Sequence, residues 1–176
     1  MTKEEFIQNH QLRIKVITLS DRASRGEYED LSGPEIVNIL KEYFKEKAWN
    51  TEISLELIPD DQEKLEKKLM ELKTGKVDIL FTTGGTGVGP RDITPNVVKK
   101  ILDKEIPGIM ENIRIKYGQV TPNALLSRGV AGVTGQTQVY CLPGSVKAVK
   151  EYMTEILKTL EHLVFMVQGI DIHHKH

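Results

Sequence analysis

The segment Thr82-Thr-Gly-Gly-Thr-Gly-Val-Gly-Pro-Arg-Asp-Ile-Thr-Pro95 stands between an apolar run at residues 77–81 and helical spacing that begins near residue 95. The apolar run reads as a buried strand, so the whole is a strand–loop–helix unit of an α/β protein. Four of the chain's 14 glycines fall between positions 84 and 89. Glycines this dense let the backbone take positive φ angles and come close to a ligand. Backbone N–H groups, threonine hydroxyls and the Arg91 guanidinium suit a phosphate. The Asp92 carboxylate repels one unless a cation lies between them. The segment therefore predicts a phosphate-bearing ligand handled together with a metal ion such as Mg²⁺. It is not a Walker A loop, because no Lys follows Gly89, and it lacks the dinucleotide fingerprint, because Gly85, Gly87 and Gly89 alternate. The plainer alternative is a glycine-rich turn without a ligand.

On the N-terminal side, Leu12, Ile14, Val16, Ile17 and Leu19 make a first strand that runs into a charged, hydroxyl-rich loop at 20–30. Ser32 with Glu35 reads as a capping box, followed by Ile36, Leu40, Tyr43 and Phe44 at helical spacing. Ile53, Leu55 and Leu57 alternate as a second strand ending at Pro59-Asp60-Asp61. Leu65, Leu69 and Leu72 mark an amphipathic helix over 62–73 that Gly75 ends. On the C-terminal side, Thr94 is a natural N-cap and Pro95 a natural first helical residue. Ile106-Pro107-Gly108 breaks that helix before a short one at 109–117. Apolar runs at 129–133 and 139–142 read as a hairpin pair, and Pro143-Gly144-Ser145 turns into a long final helix over 146–164. Residues 1–10 read as a frayed tail or a short lead-in helix, and the His-rich ending at 172–176 as a mobile tail. This order predicts an α/β fold, a three-layer α/β/α sandwich with a mainly parallel sheet. It is expected to form one domain over 1–176, with its core at about 12–165 and loose termini.

Composition narrows the function. With 24 basic and 25 acidic side chains the net charge is −1, which offers no bulk attraction to nucleic acid or to an anionic membrane. No apolar run nears the roughly 20 residues of a membrane span. The first residues lack the basic and apolar regions of a signal peptide, so a cytoplasmic location is expected. Cys141 is the only cysteine; it excludes an internal disulfide and reads as a buried small apolar residue.

In a mainly parallel sheet, Ser20-Asp21, Asp60-Asp61 and the 82–92 segment all lie at strand C-terminal ends, along one edge. Asp60 and Asp92 could there serve Mg²⁺-assisted phosphoryl or nucleotidyl transfer. Their plainer roles are a helix cap for Asp60, and for Asp92 a partner of Arg91 or of nearby N–H groups. None of these loops contains histidine, which argues against a histidine general base.

Taken together, Ser20-Asp-Arg-Ala-Ser, Tyr28-Glu-Asp, Leu57-Ile-Pro-Asp60, the 82–92 segment, Thr94-Pro95, Leu126-Ser-Arg128 and Leu142-Pro-Gly144 resemble the MogA/MoaB family. These are molybdenum-cofactor biosynthesis proteins whose domain also forms the N-terminal part of gephyrin. The resemblance implies a molybdopterin-binding fold, usually a homotrimer. It implies Mg²⁺-dependent transfer of AMP from ATP to the terminal phosphate of molybdopterin, with release of pyrophosphate. The adenylylated product would then pass to a separate molybdate-inserting protein. Carried over by motif, Thr83, Gly84, Gly85, Thr86 and Gly87 would bind nucleotide phosphates, with Ser20 and Asp21 lining the same pocket. Asp60 and Asp92 would be the catalytic acidic pair, holding Mg²⁺ while the substrate phosphate acts as nucleophile. Ser127, Pro143, Gly144 and Ser145 would face molybdopterin. Here the chain departs from the family pattern, which usually places a proline two residues after Leu-Pro-Gly; this chain has Val146. The alternative within the family is a MoaB-like protein that binds molybdopterin without efficient transfer. The intact glycine loop and both aspartates favour the enzyme. A nicotinamide-dependent oxidoreductase would need a glycine spacing that this chain lacks.

Overall fold

Leu12, Ile14 and Val16 point to one side of the first strand and Ile17 and Leu19 to the other, and this split divides the apolar core in two. The computed structural model describes residues 1–74 and 77–170. In chain order, α1 (Lys3–Asn9) leads into β1 (Leu12–Leu19), a single turn α2 (Asp21–Ser24), and α3 (Ser32–Glu46). Then come β2 (Thr51–Ile58), α4 (Gln62–Met70), β3 (Ile79–Thr83) and α5 (Thr94–Lys99). The chain closes with β4 (Lys104–Glu105), α6 (Pro107–Gly118), β5 (Ala131–Thr134), β6 (Thr137–Leu142) and α7 (Val146–Val167).

The strands form one mixed sheet in the order β2-β1-β3-β6-β5-β4. The first four are parallel; β5 is antiparallel to β6, and β4 to β5. The central strands β3 and β6 are buried at every position, as strands covered on both faces are. One face carries α1, α3, α6 and α7 over a core that includes Ile36, Leu40, Phe81, Tyr140 and Ile156. The other carries α4 and α5 over Leu65, Leu69, Leu80, Val97 and Val139. The expected three-layer α/β/α sandwich is thus observed. Each fully buried aliphatic side chain contributes roughly 1.5–3 kcal/mol of burial free energy. Among the described residues no helix is long and apolar enough to cross a membrane.

Several local expectations are corrected. Asp30, not Ser32, caps α3: its Oδ1 accepts from the Ser32 and Gly33 N–H groups and the Ser32 hydroxyl, each at 3.1 Å. Thr94 is the first residue of α5, so the N-cap position falls to Ile93, which makes no side-chain cap. Residues 3–9 form the lead-in helix, closed by a Thr2–Glu5 capping box and anchored by the buried Phe6 against Trp49 and Phe165. The amphipathic helix over 62–73 is α4 followed by a 3₁₀ turn at Glu71–Thr74. Strand β4 had no sequence signal; two exposed, charged residues form it by pairing with β5. The helix stop expected at Gly75 and the tail at 172–176 lie outside the described residues.

Candidate functional site

Because β1, β2, β3 and β6 are parallel, the residues that follow them share one edge of the sheet. A cavity of about 680 Å³ opens there. It is lined by α2 and the loop to Ser32, by Asp60, by Gly84–Gly87, by Arg91 and Asp92, and by Gly144–Val146. Of the residues singled out in the sequence, Ser20, Asp21, Asp60, Gly84, Gly85, Thr86, Gly87, Asp92, Gly144 and Ser145 line it.

The glycine loop is seated by its neighbours. Gly84 (φ +100°) donates its N–H to Leu142 O at 3.0 Å, and a methyl at this position would stand 2.2 Å from the Leu19 carbonyl oxygen. Only glycine fits. Gly85 (φ +63°) accepts the Thr94 N–H through its carbonyl at 3.1 Å, which joins the loop to the first turn of α5. Gly144 packs so closely on Gly84 that a methyl there would lie 3.2 Å from Gly84 Cα. The 143–145 turn and the glycine loop are therefore in direct contact. Ser145 caps the 22-residue α7, accepting the Ala148 N–H at 3.2 Å, so a long helix presents its N-terminus to the cavity.

Asp60 and Asp21 cross-link two strand ends. The Asp60 N–H donates to Asp21 Oδ1 at 3.0 Å, and the Asp21 N–H donates to Asp60 Oδ2 at 2.9 Å. Arg91 completes the arrangement by donating from Nε and Nη2 to the two Asp21 oxygens, each at 3.0 Å. Asp21 is thus committed to protein partners, whereas Asp60 Oδ1 faces Gly85. Burial raises the Asp60 carboxyl above its ordinary value; the Asp21 N–H and Arg91 work against the shift, and the charges of Asp21 and Asp92 add to it. Asp60 does not cap α4. That task belongs to Asp61, whose Oδ1 accepts the Lys64 N–H at 2.9 Å.

Asp92 folds back over its own loop, its Oδ2 accepting the Gly89 N–H at 2.8 Å. Its side chain therefore pairs with a loop amide, while Arg91 turns to Asp21. Three site candidates lie away from the cavity lining. Thr83 is buried and donates its hydroxyl to the Pro143 carbonyl at 2.7 Å, so those two residues brace the turn below the site. Ser127 Oγ accepts from the Tyr152 hydroxyl at 2.9 Å and from the Gly129 N–H. It stands next to Arg128, which reaches the glycine loop and which nothing but the Leu-Ser-Arg triplet marked in the sequence. Asp30, which only the Tyr28-Glu-Asp triplet marks in the sequence, accepts the Thr18 hydroxyl at Oδ2 at 2.7 Å and so ties the loop lining the cavity to β1.

Among the described residues no cluster of three or more His, Cys, Asp or Glu side chains could hold a metal. Asp60, at the end of β2, and Asp92 instead supply hard oxygen donors beside the glycine loop, and burial, with the charges of Asp21 and Asp92 adding to it, disfavours the ionised form of Asp60. Mg²⁺ suits such a site, since it commonly takes one or two carboxylates and completes its shell with phosphate oxygens and water.

A family profile described as "Probable molybdopterin binding domain" matches residues 15–162. A molybdopterin adenylyltransferase of Helicobacter pylori is 36% identical over 159 residues, which is 90% of this chain and 89% of that protein. Molybdenum cofactor biosynthesis protein B of Staphylococcus carnosus is 36% identical, covering 93% of this chain and 97% of the relative. Gephyrin of Dictyostelium discoideum is 35% identical over 95% of this chain, but the match spans only 24% of gephyrin. Among solved structures, the molybdopterin biosynthesis enzyme MoaB of Thermus thermophilus superposes with a TM-score of 0.79 at 37% identity, covering 90% of this chain and 97% of that one.

Proposed function

The chain belongs to the MogA/MoaB family of molybdenum-cofactor biosynthesis proteins, and from that premise we propose that it is an adenylyltransferase moving AMP from ATP to the terminal phosphate of molybdopterin. The observation that carries this is two carboxylates packed against the glycine loop, one from the end of β2 and one from the loop itself: Asp60 Oδ1 would lie 3.1 Å, and Asp92 Oδ2 2.7 Å, from methyls on Gly85 and Gly87 respectively.

In the proposed reaction a terminal phosphate oxygen of molybdopterin attacks the α-phosphorus of ATP. The bond to the bridging oxygen of the β-phosphate breaks, and pyrophosphate leaves with that electron pair. No protein nucleophile is required, in keeping with a site free of histidine and with a cysteine buried in β6. The Gly84 and Gly89 N–H groups are committed to Leu142 O and Asp92 Oδ2, so the phosphates would meet the remaining backbone N–H groups of the loop, and the N-terminus of α7 at Ser145 would offer a second anion site. Asp60 and Asp92 would hold Mg²⁺. When bound, that ion would offset charge on the reacting phosphates and polarise the bond to the leaving group. Asp21 and Arg91 keep Asp60 aimed at the loop. The same proposal includes assembly as a homotrimer and hand-over of the adenylylated product to a molybdate-inserting protein.

The test is a mass-spectrometric assay of the purified protein with molybdopterin, ATP and Mg²⁺, beside an EDTA control. Adenylylated molybdopterin and pyrophosphate should form only with the metal. Binding of molybdopterin without product would replace the enzyme with the non-transferring relative.

A further inference from the structure

Arg128 lies outside the cavity lining and none of the steps above uses it, yet its side chain is bonded to the glycine loop and to the first turn of α5. Its Nε donates to Gly87 O at 2.6 Å, its Nη2 to Asp92 O at 2.5 Å, and its Nη1 to Asn96 Oδ1 at 2.7 Å. Its backbone N–H donates to Thr86 O at 2.9 Å. One residue thus holds the carbonyls at both ends of the 87–92 segment and one at Thr86. A guanidinium can do this because its donors are fixed in a planar fork; an ammonium has no such geometry.

The base from which Arg128 reaches is itself fixed. Arg114 on α6 donates to Gly129 O at 3.1 Å, and the Tyr152 hydroxyl on α7 donates to Ser127 Oγ at 2.9 Å. The residues on either side of Arg128 are therefore bound to two helices of the opposite layer. A continuous chain of hydrogen bonds runs from α6 and α7 through 127–129 to the carbonyl of Asp92, whose carboxylate is closed onto Gly89 N–H.

We propose that Arg128 is a positioning residue: by gripping the carbonyls of Gly87 and Asp92 it sets where the Asp92 carboxylate stands, and it makes the 127–129 segment and the phosphate loop one rigid unit. The turnover part of its test rests on the adenylyltransferase reading; the grip on the loop does not.

The experiment compares Arg128→Lys and Arg128→Ala with the wild-type protein, using ATP, Mg²⁺ and molybdopterin, and follows hydrogen exchange at the 86–92 amides. A displaced catalytic group costs about 100-fold in turnover. Arg128→Lys is expected to lower kcat by about that factor, to leave KM for ATP within about threefold, and to speed exchange at 86–92 while the central strands stay protected. Wild-type turnover, or wild-type exchange at these amides, in Arg128→Lys overturns the proposal. So does a loss of activity that only tracks the folded fraction. If Arg128→Ala does not fold, the lysine variant decides alone. If the wild-type protein makes no adenylylated product, the adenylyltransferase reading fails, and hydrogen exchange at the loop amides of Arg128→Lys still judges Arg128. Faster exchange at 86–92 with protected central strands upholds it, and wild-type exchange there removes it.

Discussion

Gly87 and Asp92 face each other so closely that a methyl on the glycine would stand 2.7 Å from Asp92 Oδ2. Gly87 does not have positive φ, so its backbone tolerates alanine; the obstacle is the carboxylate. Gly87→Ala should push Asp92 off Gly89 N–H and out of the site without disturbing the core. Transfer should fall by about 100-fold. The melting temperature should stay within about 4 °C of wild type. Parallel turnover and thermal scans check this, and full activity would show that the place of Asp92 is immaterial.

Gly84→Ala makes the opposite case. Positive φ and the Leu19 carbonyl both exclude a side chain there, so the loop must move away from β1. The strain should cost roughly 1–3 kcal/mol. Gly26 also has positive φ but nothing within 4 Å of a methyl, so Gly26→Ala serves as the control and should lose less. Urea unfolding of the two variants gives the comparison; equal losses would place the cost in φ alone.

The raised Asp60 carboxyl has a stability consequence of definite sign. A carboxyl whose folded pKa exceeds its unfolded value holds more protons when folded, so stability falls as pH rises through that window. The window opens at the ordinary aspartate value, 3.8, and extends upward. Asp60→Asn keeps an acceptor for the Asp21 N–H and removes the penalty. In metal-free buffer the variant should therefore gain on wild type near neutral pH relative to a pH below 3.8. Urea melts at both pH values decide, and a difference that does not change with pH would contradict the shift. With Mg²⁺ and both substrates, the same variant should lose transfer.

Cys141 is fully buried in β6, and burial pushes its thiol up to about 11. A disulfide reagent at about pH 8 should leave it unmodified in the folded protein and label it completely in denaturant, since the thiolate is the reactive form. Rapid labelling of folded protein would place the thiol at the surface.

Strands β1, β3 and β6 are legible because they are largely apolar where they are buried, whereas β4, two exposed charged residues, carries no such signal. The caps are less legible. Ser32 with Glu35 matches a capping box, but Asp30 lies two residues earlier, and a carboxylate that also takes the Thr18 hydroxyl outcompetes a serine. Local spacing cannot see a partner that the sheet brings from residue 18. Asp60 and Asp92 were found from chemistry and strand-end position, and both line the cavity. Arg128 carries no local signal of its role, because its side-chain partners lie 32 to 41 positions away in the chain. Thr83 and Pro143, by contrast, sit in ligand-like motifs yet bond to each other. Sequence proximity to a glycine loop does not tell the strut from the surface it supports.

His10 and Gln168 line one cavity at the far edge of the sheet, beside the start of β1 and the β5–β6 turn. The start of β1 and the end of α7 thus meet at neighbouring points, with every loop of the candidate site on the opposite rim. Additional sequence joined at either point would not need to cross the site.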